Sequence, residues 1–383
     1  MVRIKDIKAS KILNSRSDWT LSIEMLLGDG TPIRVSVPEG KSSGSHEAAS
    51  VGVEEAINNI EKIILPAVRG FDVSDQPGLD RMLIRLDGTP NKSRLGANAI
   101  LAVSMAAVRA SALKAGVPLW QYIRGIARLE SPRVRPRIFA NVINGGLHAG
   151  NALDIQEYLI IPRTHNIRES VDIIHAVYHK LGTICNGKYG HSACLVGDEG
   201  GYAPALDNNL SPLSLIQSAA EGHAVDFGID AAASNITMDK NKLLDLYRIM
   251  VDQFKLAYIE DPFQEDDFQS FTEMTAGYGD SAIITGDDLT VTNVNRMEEA
   301  WERKSVNGVI IKPNQVGTMT EAIEAVRRAR DYGWSVIVSH RSGETNDDFI
   351  ADFGVGVGAD GIKIGAPSRG ERVAKYNRLL EIG

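Results

Sequence analysis

The chain has 383 residues, with 41 Lys and Arg against 49 Asp and Glu, a formal net charge of −8 at pH 7. That acidic balance argues against a general nucleic-acid binder, and a nucleic-acid partner is not required. The two cysteines, Cys185 and Cys194, exclude a disulfide-built scaffold and a four-cysteine zinc site.

The opening residues MVRIKDIKAS carry no apolar signal core, so a cytoplasmic chain is expected. Residues 20–27 alternate apolar and polar, Gly28-Asp29-Gly30 has turn chemistry, and Ile33–Val37 alternates again; this predicts a hairpin. Pro38–Gly44 reads as irregular, and Ser45 as the N-cap of a helix running to Ile64. Arg94–Ala115 reads as a buried helix, since its Ala and Ser permit close packing. Its apolar core Leu95–Val108 is too short to span a bilayer, and no membrane partner is expected. Gly125–Pro136, with several Arg and two Pro, reads as a linker. It divides the chain into an N-terminal α+β domain, 1–130, and a C-terminal domain, 131–383.

After Pro136 short apolar runs alternate with amphipathic stretches. The runs are Ile155–Ile161, Leu195–Val196, Phe227–Ile229, Leu256–Ile259, Ala282–Thr285, Gly308–Ile311, Ser335–Val338 and Gly361–Ile362. Helical patterns between them include Ile167–Leu181, Ser214–His223, Thr320–Asp331 and Phe349–Gly354. Alternating strand and helix implies a parallel sheet. Eight strands in roughly 250 residues fit an α/β fold of the β/α-barrel kind better than an open doubly wound sheet.

Nearly every run ends in a charged or polar residue. Gln156 and Glu157 open theirs; Asp198 and Glu199, Asp230, Glu260, Asp287, Lys312, His340 and Arg341, and Lys363 follow the others. In a parallel barrel these ends converge on one face, where active sites are built. A single Asp after a strand is ordinarily a helix cap or a solvated loop residue, and Asp261 and Asp288 are read that way. Asp230, Glu260 and Asp287 at three successive ends call for another explanation, because converging carboxylates repel unless a cation lies among them. An all-oxygen set suits Mg²⁺. Lys312 and Lys363 are candidates for a base. Gly356–Gly361 has G-x-G-x-x-G spacing but precedes a strand, so no dinucleotide site is expected. His175 and His179 lack the Glu of a zinc-protease helix, and the cysteines read as ordinary thiols.

The motifs resemble the enolase family from near the start to the end of the chain. They are ILNSR at 12–16, RLGANAILAV at 94–103, NVINGGLHAGNALDIQEYLIIP at 141–162, VGDEGGYAP at 196–204, IEDPFQEDDF at 259–268, GDDLTVTN at 286–293, KPNQVGT at 312–318, SHRSGETND at 339–347 and IKIGAPSRGERVAK at 362–375. The resemblance implies a small capping domain on a modified barrel and Mg²⁺-dependent, reversible dehydration of 2-phospho-D-glycerate to phosphoenolpyruvate. It implies Asp230, Glu260 and Asp287 as ligands of one Mg²⁺, and Ser42 as joining a second. Lys312 would take the α-proton. Glu199, with Glu157 beside it, would act on the departing hydroxyl, and the two could share one proton. Lys363 would face the substrate carboxylate, and Arg341 and Ser342 the phosphate. His148, Gln156 and His340 would line the site. A homodimer or higher homo-oligomer is implied as well.

The chain departs from the family pattern in its first loop, where Glu39-Gly40-Lys41-Ser42-Ser43-Gly44 adds charge, and at Arg16-Ser17-Asp18-Trp19-Thr20, which lacks the usual Gly and Pro. It is also shorter, near 203–212 and 235–245. The altered loop admits a second reading, a paralogue that enolises another carboxylate such as a phosphonate analogue. A non-catalytic scaffold would be favoured by a degraded metal site, and none is seen.

Overall fold

The computed structural model describes residues 2–40, 44–129 and 135–383. Lys41, Ser42 and the predicted boundary at 130/131 lie outside them.

The predicted hairpin forms and is extended by one strand. β1 (Ile4–Leu13), β2 (Trp19–Leu27) and β3 (Pro32–Ser36) make an antiparallel meander, with Leu13 opposite Trp19 and Met25 opposite Ile33. Leu21, Ile23, Met25 and Leu27 alternate onto the buried face. Helix Ala97–Ala115 packs against them. Fifteen of its nineteen residues are buried, as its small side chains anticipate.

Two local expectations fail. Ser45 does not cap a helix: its N–H and Oγ bond the Glu265 carboxylate at 3.0 and 2.8 Å, and the helix begins at Val53 after Gly52. The linker read from Gly125 also starts too early. Helix Leu119–Ala127 runs into its first residues and closes at Arg128 in the left-handed region.

The second domain is a closed eight-stranded barrel. Its strands are β4 (Arg137–Asn144), β5 (Glu157–Pro162), β6 (Val225–Asp230), β7 (Leu256–Glu260), β8 (Ile283–Gly286), β9 (Gly308–Ile311), β10 (Ser335–Ser339) and β11 (Gly361–Lys363). The count of eight holds, but its membership differs. Leu195–Val196 is loop, with Leu195 exposed, and Arg137–Asn144 is a strand that polar residues hide in the sequence. The sheet is also not fully parallel, because β5 is antiparallel to both neighbours. The link from β4 to β5 holds only a 3₁₀ turn, Gly146–His148, too little for a crossover helix, so the chain reverses. β5 therefore ends where β6 begins, with Pro162 opposite Val225. Helices Ile167–Tyr189 and Ser211–Ala219 make the return trip, and the loop between them carries Glu199 back to the charged face.

Inside the barrel Phe139, Leu159, Ile161, Tyr258, Ile310 and Ile337 form an apolar plug beneath that face. The two domains interlock. Asp80 accepts from Thr320 N and Oγ1 at 2.9 and 2.6 Å, Lys92 donates to Glu321 at 2.8 Å, and Arg109 grips Asp347 at 3.0 Å.

Candidate active site

Sheet register builds the first wall of the site. Asn144 lies opposite Glu157, Glu157 opposite Asp230, and Asp230 opposite Glu260. On the far side Ser339 lies opposite Lys363. Since β5 runs backwards, the start of that strand meets the ends of its neighbours, which is why Glu157 joins the ring from an N-terminal position. Six acids and three cations, with His148, Gln156, Ser339, His340 and Ser342, line one open cavity.

Lys363 donates to Asp230 at 2.7 Å and Glu260 at 2.8 Å, with Glu157 at 3.2 Å. Burial opposes its charge, yet the three carboxylates hold its pKa well above the usual value. Lys312 pairs with Asp287, whose other oxygen accepts from Gln315 at 2.9 Å. Burial works against the Lys312 charge as well, and Asp287 outweighs it. Asp230 and Asp287 line the pocket while Glu260 is wholly buried behind it, and the three divide between two ammonium groups. Among the described residues, the side chains whose ligand atoms converge closely enough for a metal ion are Asp261, Asp287 and Asp288, and His148, Glu157 and Glu199; Asp230, Glu260 and Asp287 do not converge in that way.

Glu199 sits opposite this wall. Its Oε2 lies 3.3 Å from Asn141 Nδ2 and 3.4 Å from His340 Nε2, and its Oε1 lies 3.6 Å from His148 Nδ1. Burial depresses both imidazole pKa values, that of His340 to about 4. Burial thus favours the neutral rings, and His148 Nδ1 and His340 Nε2 face Glu199 without a formed hydrogen bond. Burial and the Glu199 charge push Glu157 well above the usual range, which favours a proton shared between the two carboxyl groups.

Arg341 is held by a residue that sequence reading missed. Its two terminal nitrogens each lie 3.0 Å from the Glu47 carboxylate, and both side chains are buried. Asp261 is neither cap nor solvated: it is buried and accepts the N–H groups of Asp287 and Asp288 at 2.8 and 2.9 Å. Asp288 caps no helix either, and burial with the Asp287 charge raises it to about 7. Arg372, also unanticipated, is fully buried behind His340.

The residues fit a divalent cation. Glu260 Oε1 and Glu157 Oε2 are buried without a hydrogen-bond partner. Burial and the Asp230 charge raise Glu260 to about 8, the mark of a cluster short of positive charge. All the carboxylate donors are oxygen, which suits Mg²⁺.

Family comparison agrees over the whole chain. The family model described as the enolase N-terminal domain matches residues 4–123, and that for the enolase C-terminal TIM barrel domain matches residues 133–243 and 223–383. The chain is 43% identical to the enolase of Methanopyrus kandleri over 414 aligned positions, covering 100% of this chain and 96% of that one. It is 42% identical to the enolase of Solanum lycopersicum over 423 positions, covering 100% and 95%. The chain belongs to the enolase family. It is a hydro-lyase that interconverts 2-phospho-D-glycerate and phosphoenolpyruvate, a glycolytic reaction. Full-length similarity to enolases does not favour the paralogue reading. Both alignments are longer than the chain, so the relatives carry segments that it lacks. Among the described residues no single helix is long and apolar enough to cross a membrane.

Proposed function

We propose that the enolase reaction is divided among the cavity residues as follows. Arg341 and Ser342 take the phosphate; the planar Arg fork suits it, and the phosphate competes with Glu47 for that fork. Lys363 faces the carboxylate, with Gln156 and His148 on the flanks. Lys312 removes the α-proton. Glu199, backed by Glu157 and His340, delivers a proton to the departing 3-hydroxyl. The observation that carries this reading is the placement of Lys312 and the Glu157/Glu199 pair within one cavity, each in its own charge environment.

Asp230, Glu260 and Asp287 would hold one Mg²⁺ and Ser42 would join a second. Bound there, Mg²⁺ supplies positive charge against the dianionic carboxylate that proton removal creates. Asp287 would serve both Lys312 and the cation. Were Asp287 drawn from Lys312 to the cation, burial would favour the free amine and so a base at Lys312.

The test separates the two ends of the cavity. Exchange of the substrate α-proton with solvent deuterium, followed by NMR, disappears in Lys312→Ala. It persists in Glu199→Gln while dehydration falls about 10²–10⁴-fold. Loss of exchange in both variants to the same degree contradicts the assignment.

The enzyme is further proposed to be a cytoplasmic homodimer. Arg369 ties Ser15 O to Gly197 O, and Arg16 lies 4.0 Å from Asp198, so two loops form one face. Beside it Trp19 and Leu195 are 51% and 66% exposed. A second copy of this chain covers these side chains, and Trp19→Asp with Leu195→Asp shifts the sedimentation coefficient to that of a monomer. Unchanged sedimentation removes this face from the interface.

A further inference from the structure

A buried arginine behind the site decides what His340 can do. Arg372 follows Arg369-Gly370-Glu371 at the start of helix Gly370–Ile382 and is wholly buried. Its Nη1 lies 2.5 Å from His340 Nδ1 and 2.6 Å from Arg341 O; its Nη2 lies 2.7 Å from Ser342 O. A guanidinium has donors and no acceptor, and it keeps its proton at any pH relevant here. Nδ1 of His340 must therefore be the bare, accepting nitrogen, and the ring's proton must sit on Nε2. That nitrogen is the one facing Glu199 Oε2 at 3.4 Å.

The packing leaves the ring little alternative. Gly365, at φ +76°, has no room for a side chain: a Cβ there would lie 2.7 Å from Glu199 O, 3.1 Å from Arg372 Cδ and 3.2 Å from His340 Cε1. Glycine at 365 lets arginine and imidazole close on each other. The charged groups around the ring are Arg372 behind it, Glu199 in front and Glu344 to the side.

We propose that Arg372 is a positioning residue for the dehydration: it fixes His340 as the neutral Nε2–H tautomer, so that the imidazole only donates toward Glu199 and never serves as its proton acceptor. This rests on the assignment of Glu199 as the acid. Protonating His340 would set a second cation against the guanidinium, and the other tautomer would set two donors face to face. The fixed donor steadies the Glu199 carboxylate left after it gives up its proton. The same arginine holds the Arg341 and Ser342 carbonyls, so the phosphate-binding segment and the imidazole share one anchor.

The test uses the Mg²⁺-loaded enzyme with ¹⁵N-labelled histidine and long-range ¹H–¹⁵N spectra, the His340 signals being identified by their loss in His340→Gln. The expected wild-type spectrum has a protonated Nε2 and a bare Nδ1 from about pH 5 to about pH 8, across the range where an ordinary imidazole changes charge. In Arg372→Gln the ring titrates within that range and shows both tautomers. In the same variant kcat falls about tenfold while KM stays within about twofold, the loss of roughly one hydrogen bond in the transition state. Arg372→Lys, which keeps a donor without the fork, recovers part of the rate. His340→Gln, which can place N–H near the Nε2 position, outperforms His340→Asn.

A proton on Nδ1 in the wild type overturns the proposal, as does an unchanged tautomer in Arg372→Gln. Should that variant not fold, the wild-type spectrum and the comparison of His340→Gln with His340→Asn decide the matter. A normal spectrum in a wild type that forms no phosphoenolpyruvate would instead refute the catalytic assignment.

Discussion

Glu47→Gln puts a number on the charge held at the phosphate position. Arg341 and Glu47 side chains are only 5% and 8% exposed, and two contacts of 3.0 Å join them. Breaking a buried pair by neutralising one partner costs about 3–5 kcal/mol, because a charge stays behind without compensation. Asp287 and Asp288 also act on Arg341, so the lower end, about 3 kcal/mol, applies. At ~2.1 cal/mol/K per residue, 383 residues give an unfolding entropy of about 0.8 kcal/mol/K. The ligand-free variant therefore melts about 4 °C below wild type. Substrate at a hundredfold excess over its Kd adds ~2.7 kcal/mol, or about 3 °C, to wild type. It adds more to the variant, where phosphate supplies the missing countercharge. Differential scanning fluorimetry reads both shifts. A ligand-free melting point within about 1 °C of wild type, or equal ligand shifts in the two proteins, refutes the idea that Glu47 occupies the phosphate's partner.

Other outcomes follow from the same reasoning. Glu344 is buried and bonded to Lys375 at 2.9 Å; burial would raise its pKa, but the Lys375 and Arg372 charges hold it below the usual value. A depressed carboxylate contributes stability that is complete above its unfolded pKa of about 4.3 and is lost as pH falls through the folded value. Glu344→Gln is thus less stable than wild type by about 3–5 kcal/mol at neutral pH, and denaturant curves converge toward acid; a gap independent of pH contradicts this. Burial raises Cys185 to about 11, so a thiol reagent at neutral pH labels only Cys194 in the native protein and both cysteines in guanidinium. Rapid native labelling of both would show that the helix Ile167–Tyr189 is not packed as described. Gly365→Ala presses on the Glu199 carbonyl, then on Arg372 and His340, and must also adopt φ +76°, so it loses activity and stability together, read by rate and melting point. A fully active, stable variant contradicts that packing.

Much of the site was legible because its chemistry is abnormal for its position. An apolar run that ends in Asp230, Glu260, Lys312 or Lys363 announces a charge at the rim of a buried sheet, and the motifs supplied the family. What stayed hidden was direction and partnership. Nothing in the composition of Glu157–Pro162 reveals that the strand runs backwards; the short link before it does. Arg137–Asn144 escaped notice because Asn141 and Asn144 interrupt its apolar character, and they do so because they face the charged end. Ser45 looked like a cap since local chemistry cannot show Glu265 waiting 220 residues away. Glu47 and Arg372 gave no signal either, as each acquires its meaning only from the residue it grips across the fold. Asp261 and Asp288 followed a sound local rule that the crowded acidic face overrides.

The most direct test of the central claim is the ultraviolet absorbance of phosphoenolpyruvate formed from 2-phospho-D-glycerate, first with Mg²⁺ and then with EDTA. The account predicts a rise that EDTA abolishes, that returned Mg²⁺ restores and that Lys312→Ala lacks. No rise from folded, Mg²⁺-supplied protein, or a rise undiminished in Lys312→Ala, would contradict it.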